Sequence, residues 1–403
     1  MAAAAVGYAA AALLPIPARP VGIDRSAFRV ASAGVEVPRT TAAAGANALP
    51  DRTTSTPPAR RALTIVATGD ILLHSPVSTA AAGYGRDSGV AYDYRPMFDS
   101  LRSTLSGADL ALCHLETPLS ADDTNLSTYP SFSVPWEIAT ALVDAGYDGC
   151  STASNHTLDR GAAGVSATLD HLDLAGLGHA GSARSAEEAA SSGMYDVRGV
   201  KVGHLAYTES LNGASVPTDQ PWLVARLDTG RVISDAAALR AAGAQLVIVS
   251  LHWGSEFASE PSASQADTAA TLLASPDIDL VIGHHAHVVQ PIEQINGKWV
   301  AYSLGNFLSN QYDTACCPAA SQDGVVARFR FVETSDGHFV AEAVDFVPTW
   351  VEHPTYRVVA AADSLSDTTL DASSRSVLTR SLDRTVEVVN RRGANLTVAA
   401  AGS

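Results

Sequence analysis

Basic residues are scarce in this chain. Lys and Arg together number 26 against 42 Asp and Glu, for a formal net charge of -16. Nucleic-acid binding neutralises phosphates with cationic side chains, so this balance excludes nucleic acid as a partner. An anionic substrate stays allowed, because a bound divalent cation inverts the local field. Cysteine is scarce too. Cys113, Cys150, Cys316 and Cys317 are the full set, too few for a disulfide scaffold and without zinc-ribbon spacing. The adjacent pair Cys316 and Cys317, in a polar stretch between Asp313 and Pro318, forms a loop disulfide or stays as two free thiols. There is no repeat with a period of roughly 20 to 50 residues. Long apolar runs are also missing. The Ala-rich stretch in the first twenty residues is too short to span a bilayer, and no Lys or Arg precedes it to make a basic n-region. We nevertheless read residues 1–22 as a leader that starts inside a longer one, and expect export to the cell envelope or beyond.

What is present is an ordinary interior: 46% of the residues are hydrophobic, ample for a large core. Residues 23–62 are crowded with Ala, Thr, Pro and Arg and read as a low-complexity linker. The folded part starts at Leu63 and runs to about residue 350. Residues 351–403 are expected to hold one helix, Ser373 to Asn390, and then a tail without fixed structure.

Within the folded part, short β-branched runs alternate with amphipathic stretches, the pattern of an α/β fold. Expected helices cover 95–109, 136–148, 163–175, 182–190, 231–242 and 263–274. Expected strands cover 63–70, 110–116, 200–208, the runs before His252 and Gly283, 288–293, 299–307, 325–332 and 338–347, and the stretch 149–161 reads as a strand, a loop and the start of a helix.

Chemistry collects where those strands end, the rim at which open α/β sheets bind ligands. Asp70 closes the first strand and Glu116 the second. A buried Glu is rare unless it is paired or holds a metal. Asn155 and His156 follow the third strand, with Asp159 placed to orient the His156 ring. Further on, His252, Trp253 and Glu256 follow one apolar run, and Gly283, His284, His285 and His287 follow the next. Three histidines within four residues, with a fourth on a neighbouring rim, make metal-ligand chemistry. Imidazole suits zinc, iron and other first-row ions.

The ordered set of segments resembles one family. It consists of Thr68-Gly69-Asp70, His114 to Pro118, Ser154 to Gly161, His252 to Glu256, Gly283 to Gln290, and Ser303 to Phe307. Together these look like the CapA family of poly-γ-glutamate capsule synthesis proteins, a branch of the calcineurin-like metallophosphoesterases. The resemblance implies an α/β fold, a four-layer α/β/β/α sandwich with a metal site on one edge. It implies Asp70 at a first metal and Glu116 bridging. Asn155, His252 and His285 would serve a second metal, with His287 returning to the first. His156 would be the general acid or charge stabiliser, supported by Asp159. His114, Trp253, Glu256, His284 and Asn306 would lie behind the ligands or touch substrate.

Departures accompany the match. The superfamily's first motif is Asp-x-His, but Ile71 and Leu72 follow Asp70, so one ligand is absent. Glu116 replaces the usual bridging Asp. His114 and Ser154 stand where Asn is usual. The expected cofactors are one or two divalent ions, Mn, Zn, Fe or Mg. The expected function is an exported metal-dependent hydrolase, acting on a phosphoester or on an amide or ester of an envelope polymer. The alternative is a non-catalytic accessory protein that binds an anionic capsule polymer beside the membrane synthesis machinery.

Overall fold

The computed structural model describes residues 60–191 and 193–402, so the expected leader and nearly all of the expected linker lie outside the described residues. In chain order the strands are β1 (Ala62–Ile71), β2 (Leu110–Leu115), β3 (Gly149–Ser151), β4 (Gly178–Ala180), β5 (Met194–Val197), β6 (Val200–Thr208), β7 (Leu246–His252) and β8 (Leu280–His284). There follow β9 (Ile292–Ile295), β10 (Lys298–Ala301), β11 (Asn306–Leu308), β12 (Asp323–Glu333), β13 (Phe339–Val351), β14 (Val358–Ala360) and β15 (Thr397–Val398). One sheet has the order β14-β13-β12-β1-β2-β3-β4, with β11 beside β1 and β15 beside β13. The other has the order β5-β6-β7-β8-β10-β9.

Three apolar clusters define the layers. The middle one takes Leu63, Ile65 and Ala67 from β1, Leu246 and Ile248 from β7, and Phe329, Phe331 and Phe346 from β12 and β13, so the sheets pack face to face. A second joins Val66, Ala111 and Cys113 to Val77, Leu142 and Leu169, on helices Ser75–Ser88, Ile138–Ala145 and Gly161–Ala175. The third joins Val247, Val249 and Leu251 to Val232 and Leu272, on helices Thr229–Ala241 and Ala263–Ala274. Helix, sheet, sheet and helix therefore stack in four layers, the expected sandwich. Strands covered on both faces need continuous apolar runs rather than alternation, and that is what made β7 and β8 visible in the sequence. Each large side chain in the middle layer contributes about 1.5–3 kcal/mol of burial.

Several expected elements differ in detail. The stretch 95–109 forms two 3₁₀ turns and the short helix Arg102–Ser106 rather than one helix. Pro96 sits in the first turn, where its missing N–H is tolerated, and Met97, Phe98, Leu101 and Leu105 are all buried as the spacing requires. The strand expected at 288–293 begins only at Ile292. The single strand expected at 299–307 is two, in different sheets. The chain leaves β10 in one sheet, turns at Gly305 (φ +69°), and enters β11 in the other. The tail also departs from expectation. After helix Ala372–Asn390 it adds β15 beside Asp345 and Phe346 of β13.

One close approach sets the first rim. A Cβ on Gly69 would lie 2.1 Å from the Gly305 carbonyl oxygen, so only glycine lets β1 pass there. Asp70 N–H then donates to that oxygen at 2.8 Å, which puts Asp70 opposite Asn306. Disulfides join Cys113 to Cys150 across β2 and β3, and Cys316 to Cys317. Among the described residues no helix is long and apolar enough to cross a membrane.

Candidate metal centre

Strands from both sheets deliver side chains to one buried edge. Asp70 ends β1, His114 lies in β2, and Glu116 follows β2; His252 and His284 end β7 and β8. All five are at most 2% exposed.

The hydrogen bonds settle which ring nitrogens face inward. His114 Nδ1 lies 2.7 Å from Ser151 Oγ, and its Nε2 lies 3.0 Å from His252 Nδ1. Asn155 Oδ1 can only accept, so without a metal His252 Nε2–H donates to it, His252 Nδ1 accepts from His114 Nε2–H, and His114 Nδ1 accepts from the Ser151 hydroxyl. A cation bound at His252 Nε2 would displace that proton. This nitrogen lies 3.1 Å from Asn155 Oδ1 and 4.0 Å from Glu116 Oε1. His287 differs. Its Nδ1 sits between two acceptors, Asp70 Oδ2 at 3.0 Å and Asn306 Oδ1 at 3.1 Å, so it carries the proton. His287 Nε2 then faces Glu116 Oε1 at 3.7 Å.

Glu116 is the centre of this arrangement. Both of its carboxylate oxygens are buried without a hydrogen-bond partner, as is Nδ1 of His285. An unpaired buried carboxylate is expensive, whereas a cation between it and imidazole lone pairs satisfies every atom at once. Ligand atoms of Glu116, His252 and His285 lie within 4.8 Å of one another, as do those of Asp70, Glu116 and His287. The donor set therefore fits one or two divalent ions.

Electrostatics follow from burial. Burial pushes the Glu116 carboxyl up to about 7, against the pull of His287 and with a further push from Asp70. Burial also opposes charge on His287, but Glu116 and Asp70 outweigh it and raise the ring to about 9. His285 falls to about 4, chiefly by burial and then by His287. His114 and His252 fall well below the ordinary range through burial and neighbouring imidazoles. For Asp70, burial is overcome by hydrogen bonds from His284 and His287, which hold it well below the usual carboxylate range.

Around this core the structure brings together most of the residues singled out in the sequence. His156 Nδ1 bonds Asp159 Oδ2 at 2.8 Å, and Asp159 also accepts from Phe132 N at 2.7 Å. Ser154 ties the loop down, donating to the Glu116 carbonyl and accepting from His156 N. His284 donates to Asp70 Oδ1 at 3.2 Å and stacks on His114 at 4.1 Å. Asn306 donates to Gln311 and to the carbonyl oxygen of Ser321, fixing its amide toward His287. Glu256 is exposed beside His285 and His287. Trp253 is not at the centre. It is buried in the outer layer, with Nε1 donating to the Tyr302 carbonyl. Ile71 and Leu72 are core residues and supply no ligand.

Sequence reasoning missed three neighbours. His74 packs edge-on against Phe132 at 5.4 Å, and Phe132 packs edge-on against His156 at 4.7 Å. Asn212 accepts from Asn155 at 3.4 Å, and Glu209 accepts from Gly254 N at 3.0 Å. The loop that carries these last two gave no signal, since its residues form neither period nor motif.

The family model described as "Bacterial capsule synthesis protein PGA_cap" matches residues 64–311. The chain belongs to this family. Capsule biosynthesis protein CapA of Bacillus anthracis is 27% identical over 256 residues, covering 62% of this chain and 60% of the relative. A probable polyglutamine synthesis accessory protein of Mycobacterium tuberculosis is 29% identical, covering 51% of this chain and 57% of the relative. The chain thus spans little more than half the length of the curated relatives it matches. Among solved structures it is similar to the calcineurin-like phosphoesterase YfkN of Bacillus subtilis, at 13% identity and a TM-score of 0.38. That match covers 81% of this chain and 97% of the other. A score of that size carries no weight, and the sandwich stands on its own strand order. The chain is a capsule synthesis family member with candidate metal-binding groups at a buried edge.

Proposed function

We propose that this family member is a metal-dependent hydrolase acting outside the cytoplasm on an anionic envelope substrate, a phosphoester or an amide or ester of the capsule polymer. The observation that carries the reading is Glu116, buried with both oxygens unpaired beside the Nε2 atoms of His252 and His287. Glu116, Asn155, His252 and His285 fit one cation. A second, at Asp70, Glu116 and His287, requires Asp70 to release its hydrogen bond from His287. Bound divalent ions supply Lewis-acid polarisation and lower the pKa of a water.

The protein's own residues do the rest. Asp159 holds the Nδ1 proton of His156, leaving Nε2 to give a proton to a leaving oxygen. Asn306 and Asp70 fix the His287 ring, and the pair His114 and Ser151 fixes His252. The burial of the whole edge excludes water and strengthens each charge. Export is supported by the two disulfides, which persist in oxidising compartments. There the protein would meet the membrane machinery that makes the polymer.

The test is the metal content of the purified full chain and of His287→Ala, alongside turnover of phosphomonoester, phosphodiester and γ-glutamyl substrates with Mn²⁺ or Zn²⁺. Bound metal that falls in the variant, together with turnover, is expected. No metal after incubation with either ion would overturn the hydrolase reading and leave the accessory, polymer-binding role.

A further inference from the structure

Three buried side chains run in a line from the candidate metal centre into the sheet behind it. His252 ends β7, His114 lies in β2, and Ser151 lies in β3 as the register partner of His114. The line therefore crosses from one sheet to the other. None of the three residues is more than 1% exposed. His252 Nδ1 lies 3.0 Å from His114 Nε2, and His114 Nδ1 lies 2.7 Å from Ser151 Oγ. Burial keeps both rings neutral, so each carries a single proton.

Both ends of the line have two choices. At the outer end, His252 Nε2–H donates to Asn155 Oδ1 at 3.1 Å when no cation is bound. A cation at Nε2 takes the lone pair, and the ring proton then has to sit on Nδ1. At the inner end, Ser151 Oγ lies 2.7 Å from His114 Nδ1 and 3.4 Å from the Cys113 carbonyl oxygen. A hydroxyl rotates to suit its partners. It can donate to His114, or turn to Cys113 and accept from His114. Between the ends, the His114 ring is held by its stack on His284, at 4.1 Å and 15°. That ring exchanges donor and acceptor without moving a heavy atom, whereas an asparagine at this position would have to rotate its whole amide.

We propose that His114 is a positioning residue for His252, and that the line Ser151–His114–His252 reverses its hydrogen-bond direction when a cation binds His252 Nε2. Without the cation, donation runs from Ser151 to His114 to His252 to Asn155. With it, donation runs from His252 to His114 to Ser151 to the Cys113 carbonyl. The proton balance closes. The proton given up at His252 Nε2 leaves to solvent, the His114 Nε2 proton passes to His252 Nδ1, and solvent returns one proton to His114 Nδ1 in a local opening. Each ring holds one proton before and after, and no group changes charge. Every donor has an acceptor in both states, whereas a partner of fixed polarity would orphan a buried ring nitrogen in one of them. This rests on the metal-binding reading and extends it to where the displaced proton goes.

The experiment is nuclear magnetic resonance of the full chain, isotopically labelled at the histidine ring nitrogens, before and after addition of Zn²⁺. Zinc affinity is measured in parallel by competition with a chelating dye. Ring-nitrogen shifts report which atom carries the proton, and His114→Phe identifies the His114 signals. His114 and His252 should both be protonated at Nε2 in the metal-free chain and at Nδ1 in the zinc-loaded one. His114→Phe keeps an aromatic ring on His284 but gives His252 Nδ1–H no acceptor, so zinc affinity should fall about 10–100-fold. Ser151→Ala should weaken zinc by a smaller factor, and Ser151→Thr, which keeps the hydroxyl, should restore it. A His114 still protonated at Nε2 with zinc bound would overturn the proposal and leave the metal-binding reading standing. So would a metal-free chain already protonated at His114 Nδ1, or wild-type zinc affinity in His114→Phe. A wild type that takes up no zinc would overturn the reversal, and one that takes up no Mn²⁺ either would overturn the metal-binding reading as well.

Discussion

Glu116→Gln keeps the shape of the central side chain and removes its charge, and in metal-stripped protein the sign of its effect is fixed by burial. The folded carboxyl sits at about 7 against an ordinary 4.5. A pKa raised in the folded state contributes stability that is fully present below the unfolded value and is lost as pH rises through the folded one. At 1.36 kcal/mol per unit the loss is on the order of 3 kcal/mol between pH 4.5 and pH 8. His287, raised to about 9, adds a loss of the same sign at higher pH. With chelator present, Glu116→Gln should therefore be more stable than wild type at pH 8 by roughly 1–3 kcal/mol, and the gap should close toward pH 4.5. With saturating Mn²⁺ or Zn²⁺ the order should reverse, because binding stabilises only the protein that holds the ion. Urea unfolding at a series of pH values, with and without metal, reads both. Equal stability of the two chelated proteins at pH 8, or equal stabilisation of both by metal, would refute the reasoning.

Three further outcomes follow from individual contacts. Asp159→Asn should leave metal content unchanged and lower turnover about 10–100-fold, since it frees the His156 ring without touching the ligands; steady-state kinetics beside elemental analysis checks this. Gly69→Ala should abolish soluble folded protein, because its Cβ meets the Gly305 carbonyl at 2.1 Å; soluble yield and circular dichroism report it. Trp253→Phe should cost about 1–3 kcal/mol in urea unfolding, since it leaves the buried Tyr302 carbonyl without its donor, and metal content should not change.

Residues whose role is fixed by a strand end were legible in the sequence. Asp70, Glu116, His252 and the run from His284 to His287 could be read because an apolar run and its terminus are local facts. The four layers were implied by the family resemblance, whereas the apolar runs themselves showed only strands alternating with helices. Roles fixed by contacts between distant segments could not be read. Asn306 reaches His287 only because the chain changes sheets at Gly305, and a sequence pattern shows one strand from 299 to 307. His74 looks like a helix-start residue until Phe132, far along the chain, brings it beside His156. Trp253 stands next to His252 in sequence yet points into the opposite layer, as alternation along a strand requires.

The hydrogen bonds of β1 bear on where this fold stops. Its outer edge is paired along Ala62 to Ala67 by β12, a strand that lies wholly beyond residue 311, where the family match ends. A fragment cut at that boundary would keep every residue of the candidate metal centre except those that brace Asn306 from the loop before β12. It would also bare a long apolar strand in the middle of what had been a sheet. Such an edge recruits other chains rather than folding alone. The unit that behaves as one piece in solution is thus longer than the stretch by which relatives recognise each other, and β12 and β13 are as much a part of it as the histidines.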